Sequence, residues 1–247
     1  MSNYQVSENA LAGKVILVTG AGAGIGKAAA IAYAKLGAEV ILLGKTVKKL
    51  EATYDEIVKA GSKEPAIIPL DLKGATEQNY IDMAATIEST FGKLDGLLNN
   101  AGTLGGMIPF DQYPADMFEE VMKVNVTAQF IMTKALLPVM KKAPKASVIF
   151  TSSGVGRKGR AYWGAYATSK FATEGMMQVF ADEFETSTIR FNAINPGATA
   201  TKMRQTAYPT EDQSQLKTPE EIMAVYQYLM ADESIDVIGQ SIDAQPK

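Results

Sequence analysis

The chain has 247 residues, 47% hydrophobic and 21% charged, with a net charge of −3, no cysteine and no histidine. These values suit one large domain burying about three quarters of its unfolded surface, and they exclude disulfides, thiolate nucleophiles, Ser-His-Asp triads and Cys/His zinc sites, so no metal site is expected. The slight acidity gives no ground for a nucleic acid or an anionic membrane as partner, and acid–base chemistry near neutral pH falls to Tyr, Lys, Asp or Glu with a shifted pKa.

The opening MSNYQVSENALAGK lacks the basic start and apolar core of a secretory signal. No apolar run approaches the roughly 18 residues of a membrane helix, so a cytoplasmic protein is expected. The first strand is expected at KVILVTG, 14–20, leading through Gly20, Gly24 and Gly26 into a helix over 25–36. Glycines at a strand–helix junction allow a tight turn, close backbone approach to a pyrophosphate and close helix packing, although flexible turns and methyltransferase loops carry similar patterns. The second strand, AEVILLG at 38–44, ends on Gly44 and Lys45 where an NAD-binding chain would place Asp or Glu for the ribose 2′-hydroxyl. With no acid there to repel a 2′-phosphate and Lys45 to attract one, NADP is favoured over NAD.

A helix over 46–60 leads to a third strand, PAIIPLD at 65–71, closing on Asp71. A helix over 76–91 precedes LDGLLNN at 94–100, which runs into the NNAG turn of 99–102, and one long helix is expected over 114–141. Strand five, ASVIFTS at 146–152, ends at Ser152 and Ser153. The helix over 165–185 carries Tyr166 and Lys170, whose i, i+4 spacing puts a phenol and an ammonium on one helix face. Taken alone, such a pair is an ordinary surface feature. TIRFNAIN at 188–195 ends in NPG, 195–197; a polar loop at 203–219, a helix over 218–230 and a weaker strand, IDVIGQSID at 235–243, complete the chain. Near-continuous apolar strands alternating with helices predict an α/β fold: a single-domain, Rossmann-type, doubly wound parallel sheet of about seven strands with helices on both faces. The singled-out residues gather at the carboxyl ends of strands, where open α/β sheets bind ligands.

From about residue 12 to 205 the chain resembles the short-chain dehydrogenase/reductases. The carrying pieces are TGAGAGIG, the strand end LDL, NNAG, VNV with Asn125, Ser153, YATSK, and PG followed by T. The stretches TSSGVGRKGRAYWGAYATSKFATEGMMQVFADE and LKTPEEI…DAQP look closest to the YciK subgroup of bacterial oxidoreductases, whereas the ending DAQPK departs from the glycine-rich ending of many relatives.

The resemblance implies a catalytic group of Asn125, Ser153, Tyr166 and Lys170. Tyr166 would exchange a proton with the alcohol or carbonyl oxygen, Lys170 and the positive charge of the oxidised nicotinamide together would lower the phenol's pKa, and Lys170 would bond the nicotinamide ribose. Ser153 would donate to the substrate oxygen, Ser152 being turned away, and Asn125 would hold a water linking Lys170 to solvent. Cofactor contacts are implied at Gly20, Gly24, Ile25, Gly26, Lys45, Asp71, Leu72, Asn99, Ala101, Gly102, Tyr166, Lys170, Pro196, Gly197 and Thr201. Substrate contacts would come from Leu104, Met107, Val155, Tyr162, Trp163, Met203 and Tyr208, an apolar and aromatic set that equally suits mutual packing. Arg157, Lys158 and Arg160 stand near the expected mouth, either for an anionic substrate group or as a solvated charge run.

The expected activity is NADP-dependent hydride transfer between a nicotinamide and a carbonyl or secondary alcohol, on a partly hydrophobic small molecule. The rival is a non-catalytic NADP(H)-binding redox sensor or interaction protein, which would need no proton donor. A homodimer or homotetramer is expected because Phe118, Val121, Met122, Phe130, Ile131, Phe171, Met176, Met177 and Phe180 give the helices at 114–141 and 165–185 apolar residues on more than one face.

Overall fold

The computed structural model describes residues 4–246. Seven strands form one sheet: β1 (Val15–Thr19), β2 (Glu39–Gly44), β3 (Ala66–Pro69), β4 (Gly96–Asn99), β5 (Ala146–Thr151), β6 (Ile189–Asn195) and β7 (Ser241–Asp243). Their order is β3-β2-β1-β4-β5-β6-β7, and every pair is parallel. This is the doubly wound Rossmann-type arrangement that the sequence predicts. Eight α-helices accompany it among the described residues: α1 (Gly24–Lys35), α2 (Val47–Lys59), α3 (Glu77–Phe91), α4 (Ala115–Met122), α5 (Ala128–Met140), α6 (Gly164–Glu183), α7 (Lys202–Ala207) and α8 (Met223–Met230).

The period of two along β1 shows why the strands read as unbroken apolar runs. Leu17 joins the core under α3, α5 and α6, with Tyr80, Ile87, Met132, Leu136, Met177 and Phe180, while Ile16 and Val18 join the core under α1, α2 and α8, with Tyr33, Ile57, Tyr226 and Leu229. Both faces are covered, so neither set of side chains is left for water. The strand order reverses between β1 and β4, which opens a crevice at their carboxyl ends.

Three local departures matter. The single helix expected over 114–141 is α4 and α5 joined by a π-helical turn over Lys123–Thr127, which contains Asn125. Such turns insert an extra residue into the ladder without changing the apolar pattern, so the sequence reads as one helix. The last strand is confined to Ser241–Asp243, shorter than the run 235–243 that predicts it, because the chain is still turning at 235–236 and bends again at Gly239, which sits at φ 67°. The polar loop at 203–219 contains most of α7 and is pinned by a bridge between Thr199 and Lys217.

The apolar surplus on α4–α6 is smaller than its composition suggests: Val121, Met177 and Phe180 are buried in this chain's own fold, leaving Phe130, Phe171 and Val179 as the exposed large side chains of α5 and α6. Among the described residues no helix is long and apolar enough to cross a membrane.

Candidate active site

A cleft of about 320 Å³ lies at the carboxyl edge of the sheet, between the β1–α1 turn, the turn after β4, the end of β5, the start of α6 and the loop after β6. Its first wall is built on Thr19. The buried Thr19 hydroxyl donates to Leu98 O at 3.0 Å and accepts from the N–H groups of Asn100 at 2.8 Å and Ala101 at 2.9 Å, folding the NNAG turn onto the end of β1. Gly20, at φ 67°, and Gly26 fit against this turn. A Cβ on Gly26 would fall 2.4 Å from Gly20 O and 2.6 Å from Asn100 Nδ2, so this glycine is required by close approach. α1 then starts with no side-chain cap and no acid in its first turn, leaving its N-terminal N–H groups for an anion at the cleft. Across from it, a Cβ on Gly24 would lie 3.5 Å from the Thr201 methyl. A narrow glycine cradle under an uncapped helix end fits the pyrophosphate of a dinucleotide.

Gly20, Gly24, Ile25, Ala101, Gly102, Ser153, Tyr166, Lys170, Pro196, Gly197 and Thr201 all line this cleft. Asn99 does not. It is fully buried with its amide donating to Thr133 at 3.1 Å, and its neighbour Asn100 takes the position on the cleft wall, because successive residues at a strand end face opposite ways. Leu72 is buried in the core, Asp71 is exposed and accepts from the Lys73 N–H at 3.1 Å, and Lys45 is exposed beyond the end of β2; none of the three borders the cleft itself.

On the opposite side, Tyr166 and Lys170 lie in the first two turns of α6, 9% and 2% exposed. Lys170 Nζ donates to the carbonyl of Thr151 at 2.6 Å and stands 5.5 Å from the centre of the Tyr166 ring. Ser153, beyond the end of β5, directs its hydroxyl toward the phenol and pulls the phenol's pKa down, while burial pushes it up more strongly, to about 12. Lys170 is held down to about 8 by burial, against the raising field of Glu174. The expected lowering by Lys170 together with the charge of an oxidised nicotinamide is opposed here by burial, which holds the phenol up in the chain by itself. Desolvation dominates both groups, and the ammonium is directed at a carbonyl and the ring rather than at the hydroxyl. At neutral pH the phenol keeps its proton and is a donor.

Asn125 is fully buried and does not line the cleft. Its Oδ1 accepts from the Thr103 N–H at 2.8 Å, and its Nδ2 donates to Thr103 O at 2.9 Å and to Ser169 at 3.0 Å. With both amide donors in use, the side chain ties the segment after β4 to α6. Ser152 is likewise structural: it is buried and donates to Glu174 at 2.5 Å.

The outer part of the cleft is apolar. Leu104, Trp163, Met203 and Ala207 line it, Trp163 packing on Tyr166 and on Tyr208 at centroid distances of 5.7 and 5.8 Å. Met107 and Val155 pack in the same small cluster, whereas Tyr162 is 57% exposed and stands away from it. Tyr208 is fixed by the Arg204 guanidinium 3.9 Å above its ring, and Arg204 is itself held by two bonds to Glu211, at 2.6 and 2.5 Å. Of the basic run, Arg157 is engaged by Asp243 at 2.7 Å and by Ser241 at 2.6 Å, with Glu174 at 3.5 Å, so it is not available to a substrate. Arg160 reaches Tyr208 at 3.3 Å, and Lys158 is exposed.

A family model described as short chain dehydrogenase matches residues 14–212. An uncharacterized oxidoreductase of Escherichia coli (strain K12), YciK, is 48% identical over 244 residues, covering 99% of this chain and 96% of its own length. The crystal structure of a short chain dehydrogenase from Salmonella enterica serovar Typhi CT18 superposes with a TM-score of 0.97 at 48% identity, covering 98% of this chain and 100% of that one. A protein of Escherichia coli CFT073, solved in complex with NADPH, superposes with a TM-score of 0.95 at 48% identity over 98% of this chain and 100% of its own.

Proposed function

This chain belongs to the short-chain dehydrogenase family of oxidoreductases, and on that premise we propose that it is an NADP-dependent enzyme interconverting a carbonyl compound and a secondary alcohol. The observation that carries this reading is the convergence of Ser153, Tyr166 and Lys170 on one cleft, beside a glycine cradle and an uncapped helix end suited to a pyrophosphate. A pure binding protein has no use for a buried phenol that holds its proton. When bound, the cofactor supplies the hydride and, once oxidised, a positive charge near the phenol. Tyr166 donates its proton to the substrate oxygen, Ser153 donates a hydrogen bond to that same oxygen, and Lys170 carries positive charge beneath the ring and reaches the ribose. Asn125 serves the group by joining α6 to the segment after β4. The π turn around it displaces main-chain carbonyls from the helical ladder, which suits them to hold the water that links Lys170 to solvent.

The choice of NADP is supported by the sequence at the end of β2 and by the NADPH complex of the Escherichia coli CFT073 relative. Lys45, Lys48 and Lys49 are exposed there and make no ion pair among the described residues, so a 2′-phosphate would meet positive charge and no acid. Replacing Lys45 by Asp is expected to lower the preference for NADPH over NADH, read as the ratio of the two kcat/KM values, by about tenfold, the equivalent of ~1.4 kcal/mol. An unchanged ratio would remove Lys45 from the cofactor site. The apolar wall of Leu104, Trp163 and Met203 suits a hydrophobic or flat carbonyl substrate. NADPH and NADH consumption across aldehydes, ketones and quinones tests the whole reading. Turnover preferring NADPH supports it, and turnover confined to NADH contradicts the cofactor assignment.

The working unit is proposed to be at least a homodimer, because Phe130, Phe171 and Val179 are 45%, 47% and 58% exposed on α5 and α6. Light scattering at micromolar concentration is expected to give a multiple of the single-chain mass of 26.5 kDa, and a monomeric value would contradict it.

A further inference from the structure

The C-terminal ending DAQPK, singled out in the sequence, has a definite place in the structure. β7 pairs with β6 as far as Asn195 and Asp243, and the Ala244 N–H donates to Asn195 O at 2.9 Å, so the segment beyond the strand is carried to the foot of the loop that follows β6. There the Gln245 amide donates to Pro196 O at 2.8 Å and Ala198 O at 3.0 Å, with Thr199 Oγ1 a further 3.3 Å contact. Its two hydrogens are thus committed to two carbonyls of one short loop. Gly197 lies between those carbonyls at φ 73°, and a Cβ on it would approach Gln245 Nε2 to 3.0 Å and Cδ to 3.2 Å. Glycine and glutamine interlock: one leaves the space, the other fills it.

Pro196, Gly197 and Thr199 present their other side to the cleft. We infer that Gln245 is a positioning residue, which fixes the peptide planes of the Pro196–Thr199 loop in the form that receives the nicotinamide half of the cofactor. This rests on the proposed NADP-dependent reading, together with the cofactor contacts that the family resemblance implies at Pro196, Gly197 and Thr201. Gln245 touches neither cofactor nor substrate and acts only through the loop. The rest of the C-terminal strand anchors it independently, Asp243 by Asn195 at 2.8 Å and by Arg157, and Ser241 by Glu174 at 2.7 Å. Removing the Gln245 donors therefore loosens the loop without detaching the strand.

The test compares two ligands in calorimetric binding titrations: NADPH, and adenosine 2′,5′-bisphosphate, which carries the adenine end and the 2′-phosphate but no nicotinamide. In Gln245→Glu, an acceptor-only carboxylate faces two carbonyl oxygens. NADPH affinity is expected to fall about tenfold, the loss of two hydrogen bonds, while affinity for the bisphosphate stays as in the unmodified protein. Gln245→Met, which keeps the stem and adds no charge, is expected to show the same selective loss and guards against a folding defect in the first variant. Equal affinities for NADPH in all three proteins would overturn the inference, as would a parallel loss for both ligands, which would make Gln245 a support of the whole fold. An unmodified protein that binds neither ligand would overturn the NADP reading itself, and the inference with it.

Discussion

Replacing Tyr166 by Phe is expected to lower kcat for carbonyl reduction by about 10²–10⁴-fold, the usual contribution of a positioned proton donor, with NADPH affinity unchanged. The substitution removes one oxygen. The ring remains where Trp163 packs on it, 5.7 Å away, so the cleft wall keeps its shape. The split between kcat and binding identifies a group that acts in the transition state. The same phenol sets opposite pH responses for the two directions. With its pKa pushed up to about 12 by burial, it is protonated throughout the neutral range, so reduction requires no prior ionisation of Tyr166. Alcohol oxidation needs the phenolate, so its rate should rise with pH through and above neutrality. Stopped-flow rates in both directions on one substrate pair check this. Oxidation that is flat from pH 6 to pH 9 would mean that another group accepts the proton.

Lys170→Met should separate function from stability even more sharply. Turnover is expected to fall by about 10²-fold or more, since the variant has no cation beneath the ring and no donor for the ribose. Stability moves the other way. Burial holds the folded ammonium at about 8 against the ordinary 10.5, so below pH 8 both states are protonated and the folded state bears the cost of desolvation. Between about 8 and 10.5 the unfolded chain binds a proton that the folded chain does not, and stability rises with pH through that window. The shift corresponds to about 3 kcal/mol at pH 7, reduced by about 1 kcal/mol for the hydrogen bond to Thr151 O that Met cannot make. Lys170→Met is therefore expected to be more stable than the unmodified protein at pH 7 by about 2 kcal/mol, with the advantage vanishing by pH 10. Urea unfolding at the two pH values measures it. A variant less stable at pH 7 would show that the ammonium is a net stabiliser in its site. Tyr166 contributes with the opposite sign at higher pH: the folded phenol keeps its proton between about 10 and 12, so stability falls as pH rises there, in both proteins.

Much of this fold is legible in the sequence because a parallel sheet covered on both faces writes its strands as plain apolar runs, as in VILVT and ASVIFT. The cleft is legible for a related reason: its residues are short-range companions of strand ends, from Gly20 after β1 to Pro196 after β6. What escapes is set by geometry that the chain order does not encode. The choice between Asn99 and Asn100 depends on which neighbour turns outward at the end of β4, decided by the Thr19 hydroxyl about 80 residues earlier. The ties of Arg157 to Asp243 and of Gln245 to Pro196 join segments remote in sequence, and nothing local to either residue announces its partner. Departure of the ending DAQPK from a glycine-rich pattern marks the place but not the contact. The direction of the Tyr166 shift was inaccessible for a different reason. An i, i+4 spacing gives proximity to an ammonium, whereas the phenol's pKa is decided by burial, which only the assembled core reveals.

In the proposed reaction a hydride passes from the cofactor to a carbonyl carbon while Tyr166 supplies the proton. NADPH dideuterated at C4 tests it most directly, with any carbonyl compound that the enzyme turns over and mass spectrometry of the alcohol formed. Deuterium is expected on the carbinol carbon of the product, and that product is expected to be lost in Tyr166→Phe. A product alcohol without deuterium on that carbon, formed as fast by the Phe variant as by the unmodified enzyme, would contradict it.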